Sequence, residues 1–160
     1  MNGLLSQIVV LLVTNSATQV SSSSLIVANV LFRHGDRSPT APLPKNQYSN
    51  ESYWPFGWGE LTNTGREQQY RLGLFLRQRY DSVIDDVFNY KNIEVRSSDV
   101  DRCLVSAYSN LAGLFSSNNS ETEDLKLPWM TWQPLPVHTQ PAITDEVSLP
   151  VILCHIEYLA

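Results

Sequence analysis

The chain has 160 residues, enough for one domain with a real core, and a formal net charge of −5. That acidic balance excludes a general nucleic-acid partner. No segment beyond the leader is apolar over a bilayer's thickness, so no membrane helix is expected.

Residues Met1 to Ser24 contain no charged side chain, and Ile8-Val9-Val10-Leu11-Leu12-Val13 forms a short apolar centre followed by small and polar residues. This is the pattern of a secretory leader, although its basic start is missing. Residues 1–24 are therefore expected to be a signal peptide. Asn50-Glu51-Ser52 and Asn118-Asn119-Ser120 make Asn50 and Asn118 candidate glycosylation sites, in keeping with export. The two cysteines, Cys103 and Cys154, allow one bridge, but the apolar helical surroundings of Cys103 favour a buried thiol.

Leu25 to Phe32 is a continuous apolar run with β-branched residues, which predicts a strand covered on both faces. Arg33-His34-Gly35-Asp36-Arg37-Ser38-Pro39 follows at its carboxyl end. One imidazole thus stands between two guanidinium groups. A guanidinium binds phosphate oxygens through a planar, permanently charged fork. Its positive charge also disfavours a second one on the imidazole, keeping that ring neutral and nucleophilic.

The stretch Ser38 to Gly59 holds Pro39, Pro42, Pro44 and Pro55 and reads as a loop. A helix is predicted from Thr62 to about Val83, capped by Thr62 or Thr64, with Leu72, Phe75, Leu76 and Tyr80 at helical intervals. Arg66, Arg71, Arg77 and Arg79 are its solvated side. Ile93 to Arg96 predicts a short strand. A second helix follows, capped by Ser98 or Asp99, with an apolar stripe of Val100, Cys103, Leu104, Ala107, Leu111, Leu114 and Phe115. Beyond Ser116 the prolines and tryptophans predict a loop-rich excursion.

Strand, loop, helix, strand, helix implies an α/β layered fold on a parallel sheet. Ligands of such sheets bind beyond the carboxyl ends of the strands. The first strand delivers Arg33, His34 and Arg37 there, and Arg102 falls in the first turn of the second helix, where the helix N-terminus also favours an anion. Two distant segments are thus expected to meet at one phosphate pocket.

These residues resemble the histidine acid phosphatases of prostatic and lysosomal type, including secreted and venom relatives. The resemblance is carried by Phe32 to Pro39, Gly59 to Gly65, Arg96 to Arg102 and Trp132 to Thr139, in the family's order, over Leu25 to Cys154. It implies a three-layer, parallel-sheet fold of phosphoglycerate-mutase-like type. It implies His34 as the nucleophile that takes the phosphoryl group. Arg33, Arg37 and Arg102 would be the phosphate ligands, with no metal ion or other cofactor. A phosphate monoester substrate and a secreted or lysosomal destination follow from it, and a homodimer is left open. The family also uses a His-Asp pair far along the chain, the aspartic acid being the proton donor. The sequence ends at Ala160 without one, so residues 25–154 are expected to be the N-terminal part of the domain, a truncated form, and 155–160 a divergent tail. Cys154 would then be left single, since relatives pair it with a later cysteine. Asp36 is expected to orient Arg33 or Arg37. His138 and His155 are given no catalytic role. Two other readings remain: a phosphomutase, which shares the Arg-His-Gly core, and an inactive secreted fragment or phosphate-binding antigen.

Overall fold

The computed structural model describes residues 27–85, 89–116, 132, 134–145 and 153–159. The expected leader and Asn118 lie outside these residues.

β1 (Val27–Arg33) alternates: Ala28 and Phe32 are buried, whereas Leu31 is 58% exposed. The strand is therefore covered on one face among the described residues, not on both as its unbroken apolar run suggested. The long loop that follows contains one regular piece, a single 3-10 turn at Glu51–Tyr53, for which the exposed Asn50 accepts from the Ser52 amide at 2.9 Å. α1 (Asn63–Tyr80) starts where Thr62 caps it: the Thr62 hydroxyl accepts from the Gly65 amide at 3.1 Å. This settles the choice between Thr62 and Thr64. Leu76 is buried, and Leu72 and Tyr80 pack at the edge of the core. Phe75 departs from the expected stripe and is 54% exposed.

β2 (Ile93–Ser97) buries Ile93, Val95 and Ser97 and turns Glu94 outward. α2 (Asp101–Leu114) then buries Cys103, Ala107, Leu111 and Leu114 in the core, with Phe115 just beyond its end. Neither Ser98 nor Asp99 caps it. Val100 holds the cap position, because the chain turns tightly there, with the Val100 amide donating to the Ser98 carbonyl at 2.8 Å. Cys103 is a fully buried thiol, as its surroundings predicted.

α2 lies against the sheet and α1 packs along α2. The two helices cross backbone to backbone. A Cβ on Gly73 would lie 2.8 Å from the Leu114 amide nitrogen and closer still to the Asn110 carbonyl, and Gly113 faces the Tyr70 carbonyl equally tightly. Among the described residues, a hydrophobic core fills the space between the helices and one face of the sheet. No described helix is long and apolar enough to cross a membrane.

The sheet order is β1-β3-β2, with β3 (Leu153–Leu159) antiparallel to both neighbours. β1 and β2 therefore run in the same direction, as expected, but the sheet is mixed where a purely parallel one was read. β3 lies between β1 and β2 in this sheet. In register, Arg33 stands opposite Leu153 on one side and Ser97 opposite Cys154 on the other. The carboxyl ends of β1 and β2 thus finish level, one β3 strand apart. That places the segment after β1 beside the segment after β2. On the far side of β2, the His138 amide donates to the Val95 carbonyl and the Ser97 amide to the His138 carbonyl, both at 2.9 Å. The His138 side chain is exposed, so this residue serves the sheet edge through its backbone.

Candidate active site

The chain leaves β1 at Arg33 and passes through Gly35 into the long loop. His34 follows the strand and is buried, with 9% of its surface exposed. Its Nδ1 donates to the Gly35 carbonyl at 2.7 Å. A neutral imidazole that donates from Nδ1 carries its lone pair on Nε2. Burial holds the His34 ring below its ordinary value of 6.5; the carbonyl bond opposes this, and the charges of Arg102, Arg33 and Arg37 add to it, Arg102 most strongly. The charges of Arg33, Arg37 and Arg102 thus all bear on the His34 ring.

Arg33 is exposed at the end of β1, and its carbonyl is pinned by the Gln69 side-chain amide at 2.9 Å. Arg37 is half-buried, and one of its guanidinium nitrogens donates to the Ser38 carbonyl at 2.8 Å. Arg102 sits in the first turn of α2, as its spacing predicted. Its Nη1 lies 4.0 Å from the place a Cβ would take on Gly59, so the guanidinium passes over the loop next to that glycine. Its Nε is buried and has no hydrogen-bond partner among the described residues. An N–H of that kind is costly to leave unmet and is one an anionic oxygen can satisfy.

The loop that carries these groups is tied to α1 residue by residue. The Asp36 amide donates to the Gln68 side-chain oxygen at 2.9 Å, and the Asp36 carbonyl accepts from the Thr62 amide at 3.0 Å. The Asp36 carboxylate accepts from the Thr62 hydroxyl at 2.6 Å. Asp36 thus braces the cap of α1, where it was expected to orient an arginine: Thr62, the cap itself, brings the hydroxyl within reach. Further on, the Ser38 hydroxyl donates to the Gly57 carbonyl at 2.7 Å and accepts from the Glu60 amide at 3.0 Å. These bonds close the base of the long loop. An apolar pocket of about 160 Å³ opens beside Ser38, lined by Tyr53, Trp54, Pro55 and Phe56 together with Glu60, Thr62 and Asn63.

Two glycines allow the close approach. A Cβ on Gly35 would fall 2.7 Å from the Gly65 Cα, and one on Gly65 would fall 2.8 Å from the Asp36 nitrogen and nearer still to the Asp36 carbonyl. The loop and the first turn of α1 touch along bare backbone. Gln69, Ser106 and this glycine pair were not found from the sequence. Ser106 left a signal, being a polar residue on the buried stripe of α2.

A family model described as histidine phosphatase superfamily (branch 2) matches residues 24–146. The chain belongs to the histidine phosphatase superfamily. It is 41% identical over 128 residues to the prostatic acid phosphatase of Bos taurus, covering 80% of this chain and 32% of that protein. It is 44% identical over 124 residues to the lysosomal acid phosphatase of Homo sapiens, covering 78% and 28% respectively. With the lysosomal acid phosphatase of Xenopus laevis it shares 40% identity over 153 residues, 95% of this chain and 34% of that one. The chain spans about a third of the length of these curated relatives. The superfamily fold is the α/β one expected from the strand and helix order.

The lowered affinity of His34 for protons carries a prediction. Above the ordinary value of 6.5 the ring is neutral in both folded and unfolded chains, so pH has no effect through it. As pH falls below 6.5, the unfolded chain takes up a proton that the folded chain still refuses. Stability is therefore lost on acidification until the folded ring itself protonates. Thermal unfolding followed from pH 8 down to pH 4 is expected to show this loss, on a scale set by ordinary histidine titration. It should shrink in His34→Ala and in saturating phosphate, whose negative charge stabilises the imidazolium.

Proposed function

We propose that this chain carries the phosphate-binding and nucleophilic part of an acid phosphatase that hydrolyses phosphate monoesters through a phosphohistidine on His34. The reading is supported above all by one observation: a buried imidazole at the end of β1 has its Nδ1 committed to a carbonyl, which leaves Nε2 as its lone-pair nitrogen, and the charges of Arg33, Arg37 and Arg102 help to keep it unprotonated. In this reading Nε2 attacks phosphorus as the P–O ester bond breaks and the aryl oxide departs, a leaving group stable enough to need no protein proton donor. Water then attacks phosphorus, the P–N bond breaks and Nε2 recovers its lone pair. Arg33, Arg37 and Arg102 hold the non-bridging oxygens in both steps. Positioning and charge stabilisation supply most of the catalysis in phosphoryl transfer, and the covalent intermediate divides one displacement into two. A depressed proton affinity keeps the nucleophile available in acid. Relatives named as lysosomal and prostatic acid phosphatases support an exported destination, with residues 1–24 as the leader and Asn50, exposed in its loop, as a glycosylation site.

The test is incubation of the purified chain with an aryl phosphate at about pH 5, followed by an alkaline quench that preserves P–N bonds. An aryl ester suits the aromatic pocket beside Ser38. Released phosphate together with an acid-labile phosphoryl group on His34 is the expected result. Transfer of the group to an added alcohol in preference to water would replace the phosphatase by a mutase. Stabilisation by phosphate without any covalent label would leave only a binding protein.

A further inference from the structure

Ser106 is wholly buried, with none of its surface exposed, on the face of α2 turned to the core. Its hydroxyl makes two bonds of different reach. It donates to the carbonyl of Arg102, one turn back in the same helix, at 2.7 Å. It accepts from the amide of Gly35, 71 positions away in sequence, at 3.1 Å. A buried serine bonding its own helix one turn back is common and by itself says little. The second bond changes its meaning. The Gly35 amide belongs to the peptide that joins His34 to Gly35, and the Gly35 carbonyl is the group that fixes the His34 ring. One oxygen atom therefore spans the two segments that supply the nucleophile and its strongest cationic neighbour.

We propose that Ser106 is a positioning residue that fixes the separation between the His34 ring and Arg102. It touches no substrate, being fully enclosed, and it acts through Gly35 and the first turn of α2. The inference rests on the phosphatase reading for its catalytic consequence, but its geometric content does not. Without the hydroxyl, the Gly35 amide loses its acceptor in a buried site, and the loop is free to shift against α2. A chelate of three guanidinium groups around one phosphate is sensitive to such shifts, because displacement of about 1 Å is enough to cost a large factor in a preorganised site.

The experiment compares the 160-residue chain with Ser106→Ala and Ser106→Cys. The cysteine fills the site but accepts hydrogen bonds weakly. Three readouts are taken: thermal unfolding, the dissociation constant for inorganic phosphate, and the titration of His34 followed by NMR of its ring protons. In Ser106→Ala we expect cooperative unfolding, phosphate binding weaker by about ten-fold, and a His34 titration moved up toward the ordinary histidine value as Arg102 relaxes away. Ser106→Cys should fall between. Should the original chain bind no phosphate, the functional reading fails, and the His34 titration still decides the geometric claim. A lowered unfolding temperature with unchanged His34 titration would overturn the proposal, since the hydroxyl would then serve stability alone. Failure of both variants to fold would overturn it in the same way.

Discussion

His34→Ala is expected to abolish turnover of an aryl phosphate, with a loss of about a thousand-fold or more, the scale on which losing a nucleophile is usually measured. The substitution is informative because it should not unfold the chain. His34 is buried and feels the charges of Arg102, Arg33 and Arg37, and its removal relieves both the desolvation and the repulsion that depress its proton affinity. The unfolding temperature of the variant in acid should therefore equal or exceed that of the original chain. Phosphate binding should survive as well. Arg33, Arg37 and Arg102 remain, each able to donate in a charge-assisted bond. The expected pattern is a protein that is still stabilised by phosphate but forms no acid-labile phosphoryl adduct and releases no product. Phosphate release by His34→Ala at the original rate would remove His34 as the nucleophile. Loss of phosphate binding along with activity would show instead that the ring, and not the arginines, holds the ligand. Calorimetric titration with phosphate, run beside the labelling experiment, distinguishes the two.

The residues to which the proposed chemistry falls stand out in the sequence for a physical reason. A permanently charged residue next to a histidine at the end of an apolar run has few structural uses, so Arg33, His34 and Arg37 stand out. Arg102 was placed by counting forward from a short strand into a helix, since the first turn of a helix following such a strand points at the same sheet end. The helices and two strands were read for the usual reason, apolar periodicity. Three features were not. The direction of the sheet depended on β3. Its sequence does alternate, with Cys154, Ile156 and Tyr158 set against His155 and Glu157, but alternation alone does not say which way a strand runs in the sheet. The outer face of β1 was read as covered because its apolar run is continuous; Leu31 shows that an unbroken run need not mean two covered faces. The supports of the site were hidden for a different reason. Gln69 and Ser106 work by bonding backbone groups 36 and 71 positions away, and no local pattern encodes such a partner. Asp36 departs from expectation for the same cause: with Arg37 beside it and Arg33 three positions back, it meets a threonine 26 positions on.

Gly65→Ala is expected to destabilise the chain by about 2–3 kcal/mol and to weaken phosphate binding with it. Two effects of opposite sign meet at this position. Gly65 lies in the first turn of α1, where alanine is the better helix former by up to about 1 kcal/mol. Against that gain stands a methyl group placed 2.8 Å from the Asp36 nitrogen and closer to the Asp36 carbonyl. Both contacts are backbone, so no side chain can swing away to make room. Either α1 or the His34 loop must move. The cost should appear in the site as well as in the fold, because Asp36 is two residues from His34 and is held by the Thr62 cap. Gly35→Ala attacks the same contact from the other side, its Cβ falling 2.7 Å from the Gly65 Cα. Once one methyl has forced the backbones apart, the second finds part of its space already open. The double variant should therefore cost less than the sum of the two singles, a coupling that neighbouring substitutions show and distant ones do not. Gln78→Ala compared with Gln78→Gly, on the exposed side of the same helix, gives the Gly-to-Ala propensity difference alone, and Gln78→Ala checks that an exposed alanine in this helix is harmless. Denaturant unfolding of the original chain and these variants measures each quantity. A Gly65→Ala chain as stable as the original, or more so, would mean that helix propensity outweighs the contact and that the loop is not held against α1 as tightly as the glycine pair implies.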